Sequence, residues 1–424
     1  MAEARWHPHL WHPFTQVATA APPLRVVAAE GAWLRLADGR RLIDGISSWW
    51  VTLHGHAEPS IAAAIAAQAR TLEQVGFSDF SHPPAEQLGD RLSALSGLER
   101  LFFSDNGSTA VEVALKMAWQ WWLNRGSPRQ RLIAFDGAYH GDTCGAMALG
   151  ARGLFSAPFE PLLFDVARVP WPATFWGDER VEERERQALS VLEQLLEVPT
   201  AAVILEPLVQ GAGGMAMVRP EFLRQVERRL RQAGALLIAD EVLMGFGRSG
   251  SLFASHHAGI QPDLMALSKG LTGGFLPMGV TLASERIHAG FIGPDPELTL
   301  YHGHSYTANP LGCAAALASL DLLEAQPHRY QTLEARHQPR LEALSHHPAV
   351  RRPRLLGGIA AFDLAVHQPG YLHPAGQQLK ELLLNKGVFL RPLGDVVYLM
   401  PPLCLSDAEL DQCYTALEEA LNEL

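Results

Sequence analysis

A chain of 424 residues, 48% hydrophobic and 19% charged, is long enough to bury a large core beside a cleft, and its composition excludes a disordered chain. Its 45 acidic and 34 basic side chains give a net charge of -11, which argues against a general nucleic-acid binder, since such proteins need a basic face for phosphates. Cys144, Cys313, Cys404 and Cys413 have neither C-x-x-C spacing nor a disulfide framework, so a reducing, cytoplasmic setting is expected.

The N-terminal MAEARWHPHLWHPF has no apolar run behind a basic start, so no secretory signal is expected, and no stretch reaches the roughly 18 apolar residues of a membrane span. Residues 1–55, rich in Pro, Trp and His, contain a hairpin-like stretch over 26–45 with a turn signal at Asp38-Gly39. From about 56 to 320 short apolar runs alternate with helical ones. RLIAF (131–135), AAVILEP (201–207) and ALLIADEV (235–242) are apolar on both faces, as buried parallel strands are. Between strands, AVEVALKMAWQWWL (110–123) sets Val111, Leu115, Ala118, Trp119 and Trp122 on one stripe. This alternation predicts an α/β domain with a mostly parallel central sheet. The charged run DERVEERERQ (178–187) reads as a solvated helix start. Residues 321–424 read as α+β: a helix near 374–386, a strand at 387–392, a hairpin at 393–402 and a closing helix from Ser406. The expected organisation is a large domain over 56–320 and a small one built from 1–55 and 321–424.

Three segments carry candidate chemistry. SDNGSTAVEVALKM (104–117) leads a polar, glycine-containing turn into an amphipathic helix, whose free N–H groups and positive dipole end suit a phosphate; ordinary N-capping by Ser104, Asp105 or Ser108 is the bland alternative. In LLIADEV (236–242), Asp240 and Glu241 end an apolar strand, where open α/β sheets bind ligands, although a solvated strand end has the same look. In ALSKGLTGG (266–274), Lys269 follows an apolar run among Ser and Gly. It is either a surface lysine or one that forms a Schiff base with a carbonyl. Together they match what pyridoxal 5'-phosphate (PLP) needs: a phosphate cradle, an acid against the ring nitrogen and a lysine for the aldehyde.

With DNGSTAVEVALKMA (105–118), AYHGDT (138–143), EPLVQGAGGM (206–215), ADEVLMGFGRSG (239–250), LSKGLTGG (267–274), GHSYTANPLGCAAA (303–316) and RPLGD (391–395), the chain resembles the class III aminotransferases of PLP fold type I over nearly its whole length. Within the class it is most similar to the branch that aminates the ketone 8-amino-7-oxononanoate in biotin synthesis. That narrower likeness rests on LWHPFTQ (10–16), DGISSWW (44–50) and RPLGDVVYLMPPL (391–403).

The resemblance implies that Gly107 and Ser108 bind the PLP phosphate, Tyr139 lines cofactor and substrate, Asp240 pairs with the ring nitrogen, Val242 packs on the ring and Lys269 carries the cofactor. It implies that His304 and Ser305 reach the cofactor of a partner subunit, hence a homodimer. Phe14, Trp49, Gly303 and Arg391 would contact substrate, and Asp142 and Glu206 would support the site. An arginine fork suits the carboxylate at the far end of the oxo-acid, and Trp49 or Trp50 suits stacking or core.

Phe14 stands where relatives using S-adenosylmethionine as donor carry tyrosine, and His304-Ser305 where they carry Pro-Thr; the latter pair resembles a branch with lysine-using members. The donor is thus S-adenosylmethionine or lysine. Leu243 and Met244 replace small or polar residues and either reshape the ring pocket or fill it. An ω-amino acid or diamine transaminase, an aminomutase and a non-enzymatic PLP binder are the rival readings. The spacing His54-Gly55-His56 and His302-Gly303-His304 would put each pair on one strand face, but without a ligand set beside it no metal is expected.

Overall fold

The structure, a computed structural model, describes residues 6–424; the first five residues of the N-terminal stretch lie outside it. Seven strands form the largest sheet: β1 (Arg100–Ser104), β2 (Arg131–Phe135), β3 (Ala167–Val169), β4 (Thr200–Leu205), β5 (Leu236–Asp240), β6 (Leu264–Leu267) and β7 (Gly279–Ala283). Their order is β1-β7-β6-β5-β4-β2-β3. Only β7 runs against its neighbours, so the sheet is mostly parallel. Every residue of β4, β5, β6 and β7 is buried, because helices cover both faces and the strands have no polar side to offer.

The helix Gly107–Asn124 follows β1 directly and buries far more than one stripe, with Val113, Ala114, Met117 and Trp121 also inside. Its N-cap is Asn106, not Ser104, Asp105 or Ser108: the Asn106 side chain accepts from Thr109 N, and Thr109 Oγ1 accepts from Asn106 N in return. β1, β5 and β6 all end at the sheet's carboxyl edge. That edge collects the helix start, Asp240 and the Ser268-Lys269 segment, although they lie far apart in sequence.

The two ends of the chain meet in a second sheet. Val26–Glu30, Trp33–Leu36 and Arg41–Asp44 form an antiparallel meander turning at Gly31 and at Asp38-Gly39, and Val388–Phe389 adds alongside Arg41–Asp44 in parallel. The expected hairpin at 393–402 is not formed. Leu393 and Val396 close a tight bridge, and Val396–Leu399 then pairs with Ile359–Leu364, which in turn pairs with Val350–Leu356. Alternating apolar residues specify a strand and its inward face, not its partner.

The charged run at 178–187 does begin a helix, Val181–Leu196, but it is not wholly solvated. Glu185 is buried and receives Arg219 Nε at 2.9 Å and Nη2 at 2.7 Å from the edge of the next helix, Pro220–Ala233. The closing helix, Asp407–Glu423, is capped by Ser406 as the sequence suggests. No helix among the described residues is long and apolar enough to cross a membrane.

Candidate active site

A cavity of about 720 Å³ opens at the carboxyl edge of the sheet, lined among others by Gly107, Ser108, Tyr139, Asp240, Val242 and Lys269. Six residues drawn from four separate segments therefore face one space. Lys269 begins a short 3-10 turn, Lys269–Thr272, with φ +29°. Leu271 N donates to Ser268 O at 2.7 Å, Gly273 N to Gly270 O at 3.0 Å and Ser319 Oγ to Gly270 O at 3.4 Å, so the turn is held from several sides. The Lys269 ammonium lies 5.4 Å from the centroid of the Trp50 ring. The side chain keeps some surface in the cavity, yet burial pushes its pKa down, against the pull of Asp240 and Glu206.

Asp240 is buried at the end of β5. One carboxylate oxygen accepts from His140 Nδ1 at 2.7 Å and the other from Val242 N at 3.0 Å. A carboxylate can only accept, so the His140 proton points at Asp240, and Nε2 is left buried without a partner. Glu206, also buried, accepts from Tyr139 N at 3.1 Å and Gly211 N at 3.0 Å, and burial raises its pKa. It thereby fixes the backbone of Tyr139, whose phenol is pushed up by burial and by Asp142. Glu241 faces away from Asp240 and accepts from Ala254 N at 2.9 Å and Ser255 N at 2.6 Å, capping the short helix Ala254–Ala258.

At the helix start, the Gly107 and Ser108 N–H groups have no partner among the described residues, while Thr109 N and Ala110 N do. A Cβ at Gly107 would meet Val242 Cγ1 at 2.6 Å, so glycine is what lets the helix start abut Val242. The Ser108 hydroxyl is already engaged. Thr143 Oγ1 donates to Glu112 at 2.6 Å, so Ser108 Oγ donates to Thr143 Oγ1 at 2.7 Å and accepts from Thr143 N at 3.0 Å. In this arrangement backbone N–H groups, and not the hydroxyl, are free for an anion. The cavity thus offers PLP two free N–H groups at a positive helix end, a fixed carboxylate and a lysine of lowered basicity. These fit its phosphate, ring nitrogen and aldehyde.

Other sequence candidates stand elsewhere. Phe14, Trp49 and Arg391 form a cluster outside the lining: Arg391 lies over Trp49 at 4.2 Å, and Phe14 packs edge-on against Trp49 at 5.7 Å. Of the tryptophan pair, Trp50 is the core residue, donating to Tyr398 OH at 2.9 Å, and it also lines the cavity. Gly303, His304 and Ser305 sit on a surface loop and do not line the cavity of their own chain. Leu243 lines the cavity and covers Gly211, where a Cβ would meet it at 2.2 Å; Met244 is core. Neither histidine pair lies on a strand: His54 bonds Ser319 at 2.9 Å, His56 bonds Asp44 at 2.8 Å, and His302 bonds Lys116 at 3.1 Å. His140 is the functional residue missed by sequence reasoning; it sits inside AYHGDT, but nothing local ties it to a carboxylate 100 residues away.

The family model described as aminotransferase class-III matches residues 15–421. The chain is 59% identical to the adenosylmethionine-8-amino-7-oxononanoate aminotransferase of Synechococcus elongatus, over 99% of both chains. It is 40% identical to the protein of that name from Geobacter sulfurreducens, over 98% of this chain and 96% of the relative. Among solved structures, the adenosylmethionine-8-amino-7-oxononanoate aminotransferase of Methanocaldococcus jannaschii superposes with a TM-score of 0.91 at 33% identity, covering 98% of this chain and 97% of that one. A PLP-bound amine transaminase from an uncultivated Pseudomonas species gives 0.92 at 32% identity, covering 99% of each. The chain belongs to the class-III aminotransferases, enzymes of PLP fold type I, and PLP is its cofactor.

Proposed function

We propose that this aminotransferase converts 8-amino-7-oxononanoate to 7,8-diaminononanoate in biotin synthesis, with S-adenosylmethionine as amino donor. The 59% identity over the full length to a relative of that name carries the reading. The Arg391 guanidinium supports it: it lies over Trp49, half-buried, with no carboxylate partner among the described residues, and suits the far carboxylate of a long aliphatic substrate.

Bound PLP supplies an aldehyde that takes up amines and a ring that withdraws electrons when its nitrogen is protonated. Asp240, its carboxylate fixed by His140 Nδ1 and the N–H of Val242, would hold the proton on that nitrogen. The Gly107 and Ser108 N–H groups would hold the phosphate. Lys269, its pKa lowered by burial, has a neutral amine more accessible, and Nζ would take the proton from the amine-bearing carbon of the substrate and hold it for return. Trp50 packs beside that amine. The two halves of the reaction share this machinery: the donor leaves as a ketone, and the oxo-acid then enters with its carboxylate toward Arg391.

The active unit is a homodimer in this reading. His304 Nε2 is shielded yet unpartnered on a loop flanked by the exposed rings of Tyr301 and Tyr306, as a residue serving a neighbouring subunit's phosphate would be. The four free thiols suit the cytoplasm. His304-Ser305 makes lysine the second candidate donor.

The test is the donor half-reaction. Purified holoenzyme is mixed separately with S-adenosylmethionine and with lysine, and the visible absorbance of the bound cofactor is followed. Loss of the band with S-adenosylmethionine alone is expected. Loss with lysine alone would overturn the donor, and loss with neither would point to an ω-amino acid or diamine transaminase.

A further inference from the structure

Lys380 lies on the helix Pro374–Asn385, which packs tightly against the segment that carries Arg391. A Cβ at Gly376 would meet Pro392 Cβ at 3.0 Å and would overlap the Gly394 carbonyl, so this helix face presses on the residues just after Arg391. Lys380 is one helical turn beyond Gly376, on the same face. Both cations are half-buried, and neither forms an ion pair or a side-chain hydrogen bond with any described residue. The nearest acid in sequence, Glu381, receives Gln377 Nε2 at 2.8 Å. Two partly desolvated cations on adjoining elements repel, and burial and Arg391 together lower the Lys380 pKa. A chain that only needed packing here would use an apolar residue, and one that needed an ion pair would have supplied an acid. Neither cation therefore has an anionic partner in hydrogen-bond reach among the described residues.

We propose that Lys380 and Arg391 together form the seat for the carboxylate end of the ketone substrate, with Lys380 a specificity-determining residue. The inference rests on the substrate reading above. Arg391, seated over Trp49, presents its planar fork to both carboxylate oxygens, and Lys380 adds a point charge from the helix side. The seat joins the cavity through consecutive tryptophans, Trp49 under Arg391 and Trp50 beside Lys269, so a long aliphatic chain can span from one to the other.

The test is calorimetric titration of the holoenzyme with nonanoate, which has the substrate's chain length and carboxylate but no reacting ketone, and with its uncharged amide. K380M is expected to weaken nonanoate about tenfold, K380R to restore it, and the amide to bind all three proteins alike. Should K380M fold poorly, K380Q serves in its place. Equal nonanoate affinity in K380M and wild type, equal loss for acid and amide, or no binding of nonanoate to wild type would each overturn the proposal. Turnover of 8-amino-7-oxononanoate by the wild type is read separately: its absence would sink the substrate reading, whereas turnover with an indifferent Lys380 would sink only the seat.

Discussion

Lys269 sits at φ +29°, a backbone conformation that costs a non-glycine residue about 1–3 kcal/mol and persists only where the surroundings over-determine it. The bonds from Ser268, Gly270 and Ser319 provide that constraint, and the result is an amine aimed into the cavity with its basicity lowered. Asp240 is constrained in the same way, and most directly by His140. Replacing His140 by Phe keeps a planar ring but removes the proton donated to Asp240. A hydrogen bond to a charged group contributes about 1.5–3 kcal/mol, so kcat should fall roughly tenfold to a hundredfold. KM should change little, because the bond His140 makes is to Asp240, through which it acts. A kcat within about twofold of wild type would remove His140 from the proton-holding role. Lysine, aspartate and glycine were legible only as a set: each alone has a bland reading, and the three demands of PLP join them. His140 was not, since its meaning comes from a carboxylate on another strand. The tryptophan pair shows the same boundary: two identical neighbours in sequence divide into a core residue at the cavity and a half-exposed platform under Arg391.

Elements follow the same logic with a different failure. Wholly apolar runs announced β2, β4 and β5 within a residue or two, because buried strands leave no room for another reading. The segment 393–402 went wrong because its partner, Ile359–Leu364, is remote in sequence and no local turn specifies it. The charged run at 178–187 misled for the converse reason. A glutamate in a polar helix looks solvated until a neighbouring helix buries it, as Arg219 and the packing of Pro220–Ala233 do to Glu185. Replacing Arg219 by Met leaves that carboxylate buried without its cation. Breaking a buried pair costs about 3–5 kcal/mol, and the partial exposure of Arg219 places this one at or below about 3 kcal/mol. Urea unfolding should show the loss, and adding Glu185→Gln to the Arg219→Met variant should recover part of it. Unchanged stability in the single variant would return the run to its solvated reading.

At the scale of the whole molecule, buried ionisable groups set opposing pH dependences. His54 and His337 are held neutral by burial, with pKa values lowered to about 4 and about 3, so the unfolded chain binds more protons below about pH 6.5 and stability is lost as pH falls through that window. Glu241, raised to about 7, acts in reverse: the folded state holds the extra proton, and stability falls as pH rises from about 4.5 to 7. His337 bonds Tyr414 OH at 2.9 Å far from the cavity, so His337→Asn isolates one side of this balance. The variant should lose less stability than wild type between about pH 6.5 and 4, and an unchanged slope in urea midpoints would show that His337 does not carry it.

The same scale decides whether one chain makes a complete site. Lys269 faces the cavity of its own chain, while His304 and Ser305 do not. If Ser305 serves the partner's phosphate, a Lys269→Ala chain and a Ser305→Asp chain are each inactive alone but complement one another. In the hybrid dimer one site combines Lys269 from the second chain with Ser305 from the first and is intact, and the other carries both defects. Random mixing makes about half the dimers hybrids with one good site in two, so the mixture should recover about a quarter of wild-type activity. Recovery near that level requires both the dimer and the exchange of Ser305 between subunits. A mixture that stays inactive while sedimenting as a dimer would place Ser305 outside the phosphate site, and one that stays monomeric would remove the dimer.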